Sequence, residues 1–332
     1  DHVRWGYGNF GSNILDINTV PFTQLKVHFS PTDWFKFDYI HGSLQSDVVD
    51  SSTIANVNGV NTFDYHNKYI AGNMISFRPW KPLWISVGNS IVYSKRTPEP
   101  TFFIPVMFFK SADHYLNRRN NNAGGNAQMF AAFSFRPIDR VHFYSTVFVD
   151  EISLRRSRDP EQHTNWFSIK SGVKLSNIVP NTSITVEHIR SNAMVYKHYI
   201  TTTDYTNAGY NMGHYLRDNA REMIAAIDFK PLWWLHLHGR YTFAEKGADI
   251  FDDRTTRNPE TGALRIRGIN YLEGTVWMQS IYTFRITARP YYRLRFSVQI
   301  DKINRQKSNP SYEVNYFRGS NTTFMFGMHY GF

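Results

Sequence analysis

A spacing of two between large apolar residues recurs along this chain and is clearest in its last ten residues. The two alternating sets are Phe324, Phe326, Met328, Tyr330 and Phe332 on one side and Thr323, Met325, Gly327, His329 and Gly331 on the other. A period of two is that of a β-strand, whose successive side chains point to opposite faces. The pattern therefore predicts an amphipathic strand with a row of five large apolar side chains, ending on an aromatic residue.

Upstream segments show the same alternation, with ionisable residues on the face opposite the apolar row. The rows are Leu294, Phe296, Val298 and Ile300 against Arg293, Arg295, Ser297, Gln299 and Asp301; Leu235, Leu237, Tyr241 and Phe243 against His236, His238, Arg240 and Thr242; Val141, Phe143, Val147 and Val149 against His142, Tyr144, Thr146 and Asp150; and Phe35, Phe37 and Tyr39 against Lys36, Asp38 and Gly42. So many charged groups do not fit the core of a soluble sandwich, but they can line a wet lumen.

The connections between these segments alternate in length. Short turns are expected near residues 30–33, 78–82, 136–139, 176–181, 230–231 and 288–290, and long polar loops near 47–67, 95–126, 154–164, 201–219, 246–270 and 305–321. Short turns at one end and long loops at the other are typical of outer-membrane barrels. The sequence therefore predicts an all-β fold, a single antiparallel transmembrane β-barrel over residues 1–332, with about 13 strands of ~9–11 residues each.

The strand count carries a further expectation, because bacterial barrels have an even number of strands and both termini in the periplasm. The first predicted strand, starting at Gln24, runs into a short turn, so an odd number of strands should precede it. Either residues 1–20 supply a fourteenth strand, or the full protein has further N-terminal strands and about 14–18 in total. We expect the second arrangement.

Composition agrees with a barrel and excludes several other classes. Aromatic residues make up 16% of the chain, which suits the aromatic girdles of a barrel at the two membrane interfaces. The chain has no Cys, which excludes disulfides, zinc–cysteine sites and a thiol nucleophile. The net charge is +10, but Lys and Arg are spread over strands and loops, so we expect no nucleic-acid partner.

Short motifs add a resemblance to a known family. They are Arg4-Trp5-Gly6-Tyr7-Gly8-Asn9, Asn13-Ile14-Leu15-Asp16 and Pro21-Phe22-Thr23-Gln24-Leu25-Lys26, followed by Lys68 to Asn73, Ile104 to Lys110, Val149 to Ile152, Glu187-His188 and Tyr210 to Arg217. The first three resemble a segment of the Wzi-like capsule-assembly family of outer-membrane β-barrels. The order of the later motifs is similar to the Bacteroidetes branch of that family, which includes RemB-like proteins.

The resemblance implies a protein of the Gram-negative outer membrane that acts at the cell surface and tethers or organises capsular polysaccharide. Its expected partners are outer-membrane lipid and lipopolysaccharide, surface polysaccharide and other outer-membrane proteins. The terminal row Phe324, Phe326, Met328, Tyr330 and Phe332 resembles the signal that the barrel-assembly machinery recognises.

The loop 95–126 is the main candidate for glycan binding. Its apolar run from Phe102 to Phe109 would be an aggregation hazard in water, so we expect the loop to fold into the lumen as a plug. Acidic sugars need aromatic faces and cationic donors, and the candidates are Lys110, His114, Tyr115, Arg118 and Arg119 here, with Tyr210, His214 and Arg217 from the family-like region. A purely structural plug is the alternative.

Chemistry beyond binding has little support in the sequence. His236 and His238 share a face, but a metal site needs a third ligand, for which Asp228 and Glu245 are only guesses. No pattern such as Gly-x-Ser-x-Gly or His-Glu-x-x-His occurs. We therefore expect neither an enzyme nor a cofactor or metal, and the competing functions are a passive channel for polar or anionic solutes and a subunit of a larger gliding or secretion assembly.

Overall fold

Most of the chain folds into one antiparallel sheet in a computed structural model, which describes residues 1–120, 124–151, 165–249, 271–272, 274–307 and 319–331, with residues 117–120 described by their backbone alone. In chain order the strands are β1 (Thr23–Thr32), β2 (Phe35–Leu44), β3 (Ala55–Val57), β4 (Val60–Thr62), β5 (Lys68–Trp80), β6 (Leu83–Ser94), β7 (Asn126–Ile138), β8 (Val141–Glu151), β9 (Trp166–Ser176), β10 (Thr182–Ser191), β11 (Thr206–Asn207), β12 (Tyr210–Asn211), β13 (Ala220–Leu232), β14 (Leu235–Lys246), β15 (Trp277–Tyr291), β16 (Leu294–Lys307) and β17 (Ser320–Tyr330). One α-helix, α1 (Phe109–Asn120), lies between β6 and β7.

Thirteen of these strands form the main sheet, in the order β1-β2-β5-β6-β7-β8-β9-β10-β13-β14-β15-β16-β17, and each pairs with its neighbour in antiparallel register. The short pairs β3–β4 and β11–β12 are small hairpins within long loops. Short turns and long connections alternate along the main sheet as the sequence predicts, which gives the wall a short-turn end and a long-loop end. The strands β1 and β17 are its two edges, so the sheet is not closed between them.

The predicted faces of the strands are confirmed. In β17, Phe324 and Phe326 are each 73% exposed on the outward face. In β8, Phe143 is exposed whereas Tyr144 and Phe148 are buried on the inward face. The terminal apolar row thus points outward from the wall, as expected for lipid contact, except that Phe332 lies outside the described residues.

Residues 1–22 lie against the inward face of this sheet and show that the sheet curves around them. The ring of Trp5 meets Gly72 on β5, while Phe10 lies under the guanidinium of Arg240 on β14. Seven strand spacings separate β5 from β14, which is roughly 34 Å in a flat sheet. The backbone from Trp5 to Phe10 spans at most ~17–18 Å when fully extended, and the Trp5–Leu15 hydrogen bond closes the segment into a loop, so a curved wall brings both strands to it. Residues 1–20 therefore occupy the lumen and do not form the fourteenth strand that was the other possibility.

The loop 95–126 lies on the other side of the wall, so its predicted place in the lumen is wrong. Its residues Phe102 and Phe109 are fully buried in a cluster with Tyr39, Ala71 and Tyr93, which all belong to the outward face of β2, β5 and β6. The aromatic and small outward residues at the long-loop end of these strands form a surface that receives the apolar run. The run is buried as expected, but against the outside of the barrel.

Two outward-facing asparagines fix this loop. Asn73 Nδ2 donates to the carbonyl oxygens of Pro105 (2.9 Å) and Met107 (2.8 Å), and Asn89 Nδ2 donates to Asn73 Oδ1 (2.7 Å). Asn89 Oδ1 in turn accepts from the backbone N–H of Phe109, the first residue of α1 (2.8 Å). Amide side chains on a lipid-facing wall would be left unpaired, so the loop gives them hydrogen-bond partners that hydrocarbon cannot supply.

A second long loop, residues 192–219, fills the lumen from the long-loop end. Ala193, Val195, Tyr205 and Met212 are buried in the same cluster as Trp5 of the N-terminal segment. The lumen is thus partly plugged, but by this loop and residues 1–22 and not by the loop that the sequence predicted. Among the described residues, no helix combines the length and the apolar composition needed to cross a bilayer.

The assignment of faces predicts opposite outcomes for neighbouring residues of β16. Val298 is outward and 44% exposed, whereas Ser297 points inward beside Gly327. We expect Val298→Arg to impair assembly, because Arg on a lipid face costs ~2–4 kcal/mol, and Ser297→Arg to be tolerated. Heat-modifiable gel mobility in outer-membrane fractions measures both, and equal behaviour of the two variants would contradict the assignment.

The outer position of loop 95–126 is tested by two adjacent phenylalanines. Phe102 is fully buried against the wall, and Phe103 is 42% exposed. Phe102→Ala should destabilise the docked loop by about 3–5 kcal/mol, while Phe103→Ala should have a much smaller effect. Hydrogen exchange of the α1 amides reports the difference. The α1 amides could instead stay protected in Phe102→Ala while exchange increases only in the lumen segments. That result would show that the loop lies in the lumen and not on the outer wall.

Candidate functional site: the plugged lumen

The N-terminal segment forms a loop inside the barrel whose backbone approaches the wall closely. The backbone N–H of Trp5 donates to the carbonyl oxygen of Leu15 (3.1 Å), which closes the loop. Between them Gly8 has a φ of +131°, and a Cβ there would lie 2.7 Å from Lys170 Nζ. Only glycine fits this position, because a side chain would be strained and would displace the lysine.

Lys170 on β9 and Glu187 on β10 form a buried ion pair beneath this loop. Lys170 Nζ lies 2.7 Å from Glu187 Oε2, and both side chains are almost entirely buried. Lys170 also donates to the carbonyl oxygens of Phe10 (2.6 Å) and Gly11 (2.7 Å). A buried ammonium is costly unless its protons all have acceptors, and here three oxygens surround it.

Glu187 is satisfied by the same segment. Its carboxylate accepts from the backbone N–H groups of Asn9 (2.5 Å) and Phe10 (3.2 Å) and from the hydroxyl of Tyr144 on β8. The wall therefore supplies one cation and one anion, and the backbone of residues 9–11 supplies the complementary acceptors and donors. This arrangement fixes both the position and the direction of the plug.

Asn13 links the segment to the wall and to the second plug loop. Its Nδ2 donates to the carbonyl oxygens of Thr146 (3.2 Å) and Ser168 (2.9 Å), and its Oδ1 accepts from the Thr146 hydroxyl. The hydroxyl of Tyr196 donates to the backbone oxygen of Asn13 (2.7 Å). Burial raises the pKa of Tyr196, so this hydroxyl stays protonated and remains a donor.

The loop 192–219 is held by its own charged network. The buried carboxylate of Asp218 lies 2.9 Å from Lys197 Nζ and 3.0 Å from Lys246 Nζ. Asp204 accepts a hydrogen bond from the backbone N–H of His198 (2.6 Å), and burial raises the pKa of Asp204 to about 6. The loop is also joined to the N-terminal segment, because Asn207 Nδ2 donates to the carbonyl oxygen of Val20 (2.8 Å). The two plug segments thus form one hydrogen-bonded unit.

The candidate glycan residues of the first loop lie on the outer flank. Lys110, His114 and Tyr115 are exposed on α1, with Tyr115 65% exposed. Arg118 and Arg119 belong to the same helix, but their side chains lie outside the described part of the chain. The helix therefore presents one aromatic and at least two polar or cationic groups to its surroundings, on the outside of the barrel and not in its lumen.

The candidates of the second loop do not share one surface. Tyr210 is 63% exposed and Arg217 is also exposed. His214 is buried, and its Nε2 lies 3.1 Å from Glu222 Oε2 on the inward face of β13. His214 therefore contacts the barrel wall and leaves Tyr210 and Arg217 as the accessible groups of this region.

The histidines of β14 share a face as predicted, and both contact Asp228. His236 Nε2 and His238 Nδ1 lie 2.9 Å and 2.8 Å from Asp228 Oδ1, which are hydrogen-bond distances. In the part of the chain that the structure describes, no group of three or more His, Asp or Glu side chains is arranged to hold a metal ion.

The residues that organise the lumen were not singled out from the sequence. Glu187 was considered only with His188, and the structure places these two on opposite faces, with Glu187 buried and His188 exposed. Lys170 was not considered at all. The alternation of inward and outward positions places both residues on the inward face of neighbouring strands. That alternation does not show what fills the lumen.

Solved structures of outer-membrane proteins are similar to this chain. Wzi of Escherichia coli, described as an outer-membrane protein involved in group 1 capsule assembly and a carbohydrate-binding β-barrel, aligns over 99% of this chain and 65% of its own, with a TM-score of 0.62 and 15% identity. OccK3 of Pseudomonas aeruginosa aligns over 97% of this chain and 73% of its own, with a TM-score of 0.48 and 9% identity. No protein-family model matches the sequence, and no curated protein is significantly similar to it.

The likeness to Wzi establishes the fold, an all-β antiparallel barrel of the outer-membrane type. The chain spans 65% of the length of the Wzi chain.

Docking of the plug should depend on the buried ion pair. Lys170→Met leaves the Glu187 carboxylate buried without its partner, which should destabilise docking of residues 9–16 by about 3–5 kcal/mol. The double variant Lys170→Met/Glu187→Leu should lose less, because no charge is left unpaired. Hydrogen exchange of the amides of residues 9–16 measures docking. Lys302→Met, on the exposed outward face, is the control and should have no effect. If these amides exchange as fast in the double variant as in Lys170→Met, the unpaired charge is not the cause of the destabilisation.

Proposed function

We propose that this chain is the barrel of a Gram-negative outer-membrane protein that binds polysaccharide at the cell surface and does not conduct solutes. The observation that carries the proposal is the occupied lumen, in which residues 1–22 and 192–219 form one unit bonded to the wall. Membership of the Wzi-like capsule-assembly family, and of its Bacteroidetes branch, belongs to the same proposal and is supported by the motif order and by the shared fold.

The plug argues against a channel for polar or anionic solutes. Ile14 and Leu15 are fully buried in the lumen cluster, together with Val195 and Tyr205. A polar solute needs a continuous wet path lined by hydrogen-bonding groups, and this apolar cluster fills the space beside β2 and β5 to β9, which narrows such a path. Lys170 and Glu187 of the wall are also unavailable to a passing solute, because they form hydrogen bonds with the backbone of the plug.

The surface that remains for a polysaccharide is the long-loop end and the flank beside it. Tyr210 and Arg217 on the plug loop, and Lys110, His114 and Tyr115 on α1, are all exposed. Tyrosine rings stack on the C–H faces of sugars, and cationic side chains bond to their carboxylates. Wzi, whose fold this chain shares, is described as a carbohydrate-binding barrel. This supports the proposal through the shared fold and not through shared binding residues.

The outer face of the barrel and loop 95–126 would contact the partners of this protein. The outward apolar row of β17 would contact lipid and serve as the signal for the barrel-assembly machinery, and the outer leaflet would supply lipopolysaccharide. Other outer-membrane proteins would contact the exposed apolar residues of loop 95–126, among them Val106, which is 74% exposed. We propose a binding protein without enzymatic activity or cofactor.

The glycan prediction is tested by the double variant Tyr210→Ala/Arg217→Ala. Each exposed contact contributes only ~0–1 kcal/mol, so a polymer must be held by many contacts. The double change should weaken retention by up to about thirtyfold, since each ~1.4 kcal/mol corresponds to a factor of ten. Cell-bound and shed polysaccharide are measured in wild type, in this variant and in a deletion strain. Tyr292→Ala is the matched control, because Tyr292 is 99% exposed at the short-turn end. Binding should also fall with salt, since the Debye length shrinks from ~10 Å at ~0.1 M to ~3 Å at ~1 M.

The competing functions give different results. Steady ion conductance of the purified protein in planar bilayers would favour the channel. Unchanged cell-bound polysaccharide in the deletion strain, with stoichiometric co-purifying proteins, would favour a subunit of a larger assembly. Either result would replace the proposal.

A further inference from the structure

A basic cavity of about 490 Å³ lies on the lumen side at the short-turn end of the barrel, away from both candidate glycan loops. Its walls are the N-terminal segment, the β7–β8 turn and the end of β9. Four cationic side chains line it: Arg4 from the segment, Arg136 and Arg140 around the turn, and Lys174 from β9. The volume falls within the range of small-molecule sites, which is ~300–1,000 Å³.

The charges in this cavity are poorly balanced. Its one carboxylate is that of Asp139, and none of Arg136, Arg140 and Lys174 forms an ion pair with any residue that the structure describes. Arg4 is committed only to backbone oxygens, those of Gly8 and Gly11. Like charges gathered around a concave space raise the local potential and attract an anion. Guanidinium groups are also suited to bidentate contacts with carboxylate or phosphate.

Neutral polar and aromatic groups complete the lining. Tyr7 and Asn9 project from the same glycine-containing turn that Lys170 holds in place, and Ser176 closes the opposite wall. Burial raises the pKa of Tyr7, so its hydroxyl stays protonated, and a hydrogen bond with Ser86 holds the side chain in place. A ring face with nearby hydroxyl and amide groups matches a sugar, whose C–H faces stack and whose hydroxyls hydrogen-bond.

We infer that this cavity binds an anionic sugar, a saccharide unit that carries a carboxylate or a phosphate, at the short-turn end of the barrel. The cations hold the anionic group, the ring face of Tyr7 stacks on the sugar, and the amide oxygen of Asn9 and the hydroxyl of Ser176 contact the sugar hydroxyls. The inference stands on the cavity alone, so it holds whether or not the long-loop end retains polysaccharide. The cavity has no lining residue in common with Tyr210, Arg217 or the exposed residues of α1, so variants test the two sites separately.

Calorimetric titration of the purified full chain in detergent tests the inference with three probes. Glucuronate carries both the sugar and the anionic group, glucose carries the sugar alone, and inorganic phosphate carries the anion alone. Glucuronate should bind at least about tenfold more tightly than glucose, because each tenfold corresponds to ~1.4 kcal/mol and a charge-assisted hydrogen bond contributes about that much. Its affinity should fall as salt is raised.

The double variant Arg136→Gln/Arg140→Gln removes two cations and should weaken glucuronate binding by at least about tenfold. The matched control is Arg289→Gln, since Arg289 is exposed at the short-turn end of β15 and does not line the cavity. If the double variant does not assemble, Lys174→Gln provides the same comparison with a single charge. Equal binding of glucose and glucuronate, equal losses in variant and control, or binding of phosphate without glucuronate would overturn the inference.

Discussion

The buried pair of Lys170 and Glu187 determines what occupies the barrel. An ammonium and a carboxylate facing the lumen could stay hydrated in an open pore, but here they are sealed under residues 9–11, whose backbone completes their hydrogen bonds. The apolar cluster around Ile14 and the second plug loop then packs on a segment that is already fixed. The charged wall and the apolar plug are therefore parts of one arrangement, since the plug covers the charges and the charges orient the plug.

The wall of the barrel could be predicted from the sequence because its pattern is local. Alternation with a period of two assigns a face to each strand residue, as for Phe143 and Tyr144, and needs no knowledge of the neighbouring strand. The difference between short and long connections likewise orders the strands into hairpins. The thirteen strands of the main sheet agree with the predicted number for this reason.

The contents and coverings of the wall could not be predicted, because they depend on contacts between distant residues. The apolar run from Phe102 to Phe109 shows that the loop must be buried, but both sides of a barrel offer apolar surface. The decisive residues were Asn73 and Asn89, two outward amides that need partners. In the same way, nothing near Lys170 in the sequence shows that the carbonyl oxygens of Phe10 and Gly11 will meet it inside the barrel.

The loop docked on the outer wall has a consequence for how the protein sits among others. A barrel surrounded by lipid on every side presents the same belt in all directions, whereas this wall carries a folded pad over β2, β5 and β6. The pad itself exposes Phe103, Val106 and Phe108. In a crowded bilayer the two sides of the molecule therefore differ. A neighbouring protein contacts a folded loop on one side and bare strands on the other.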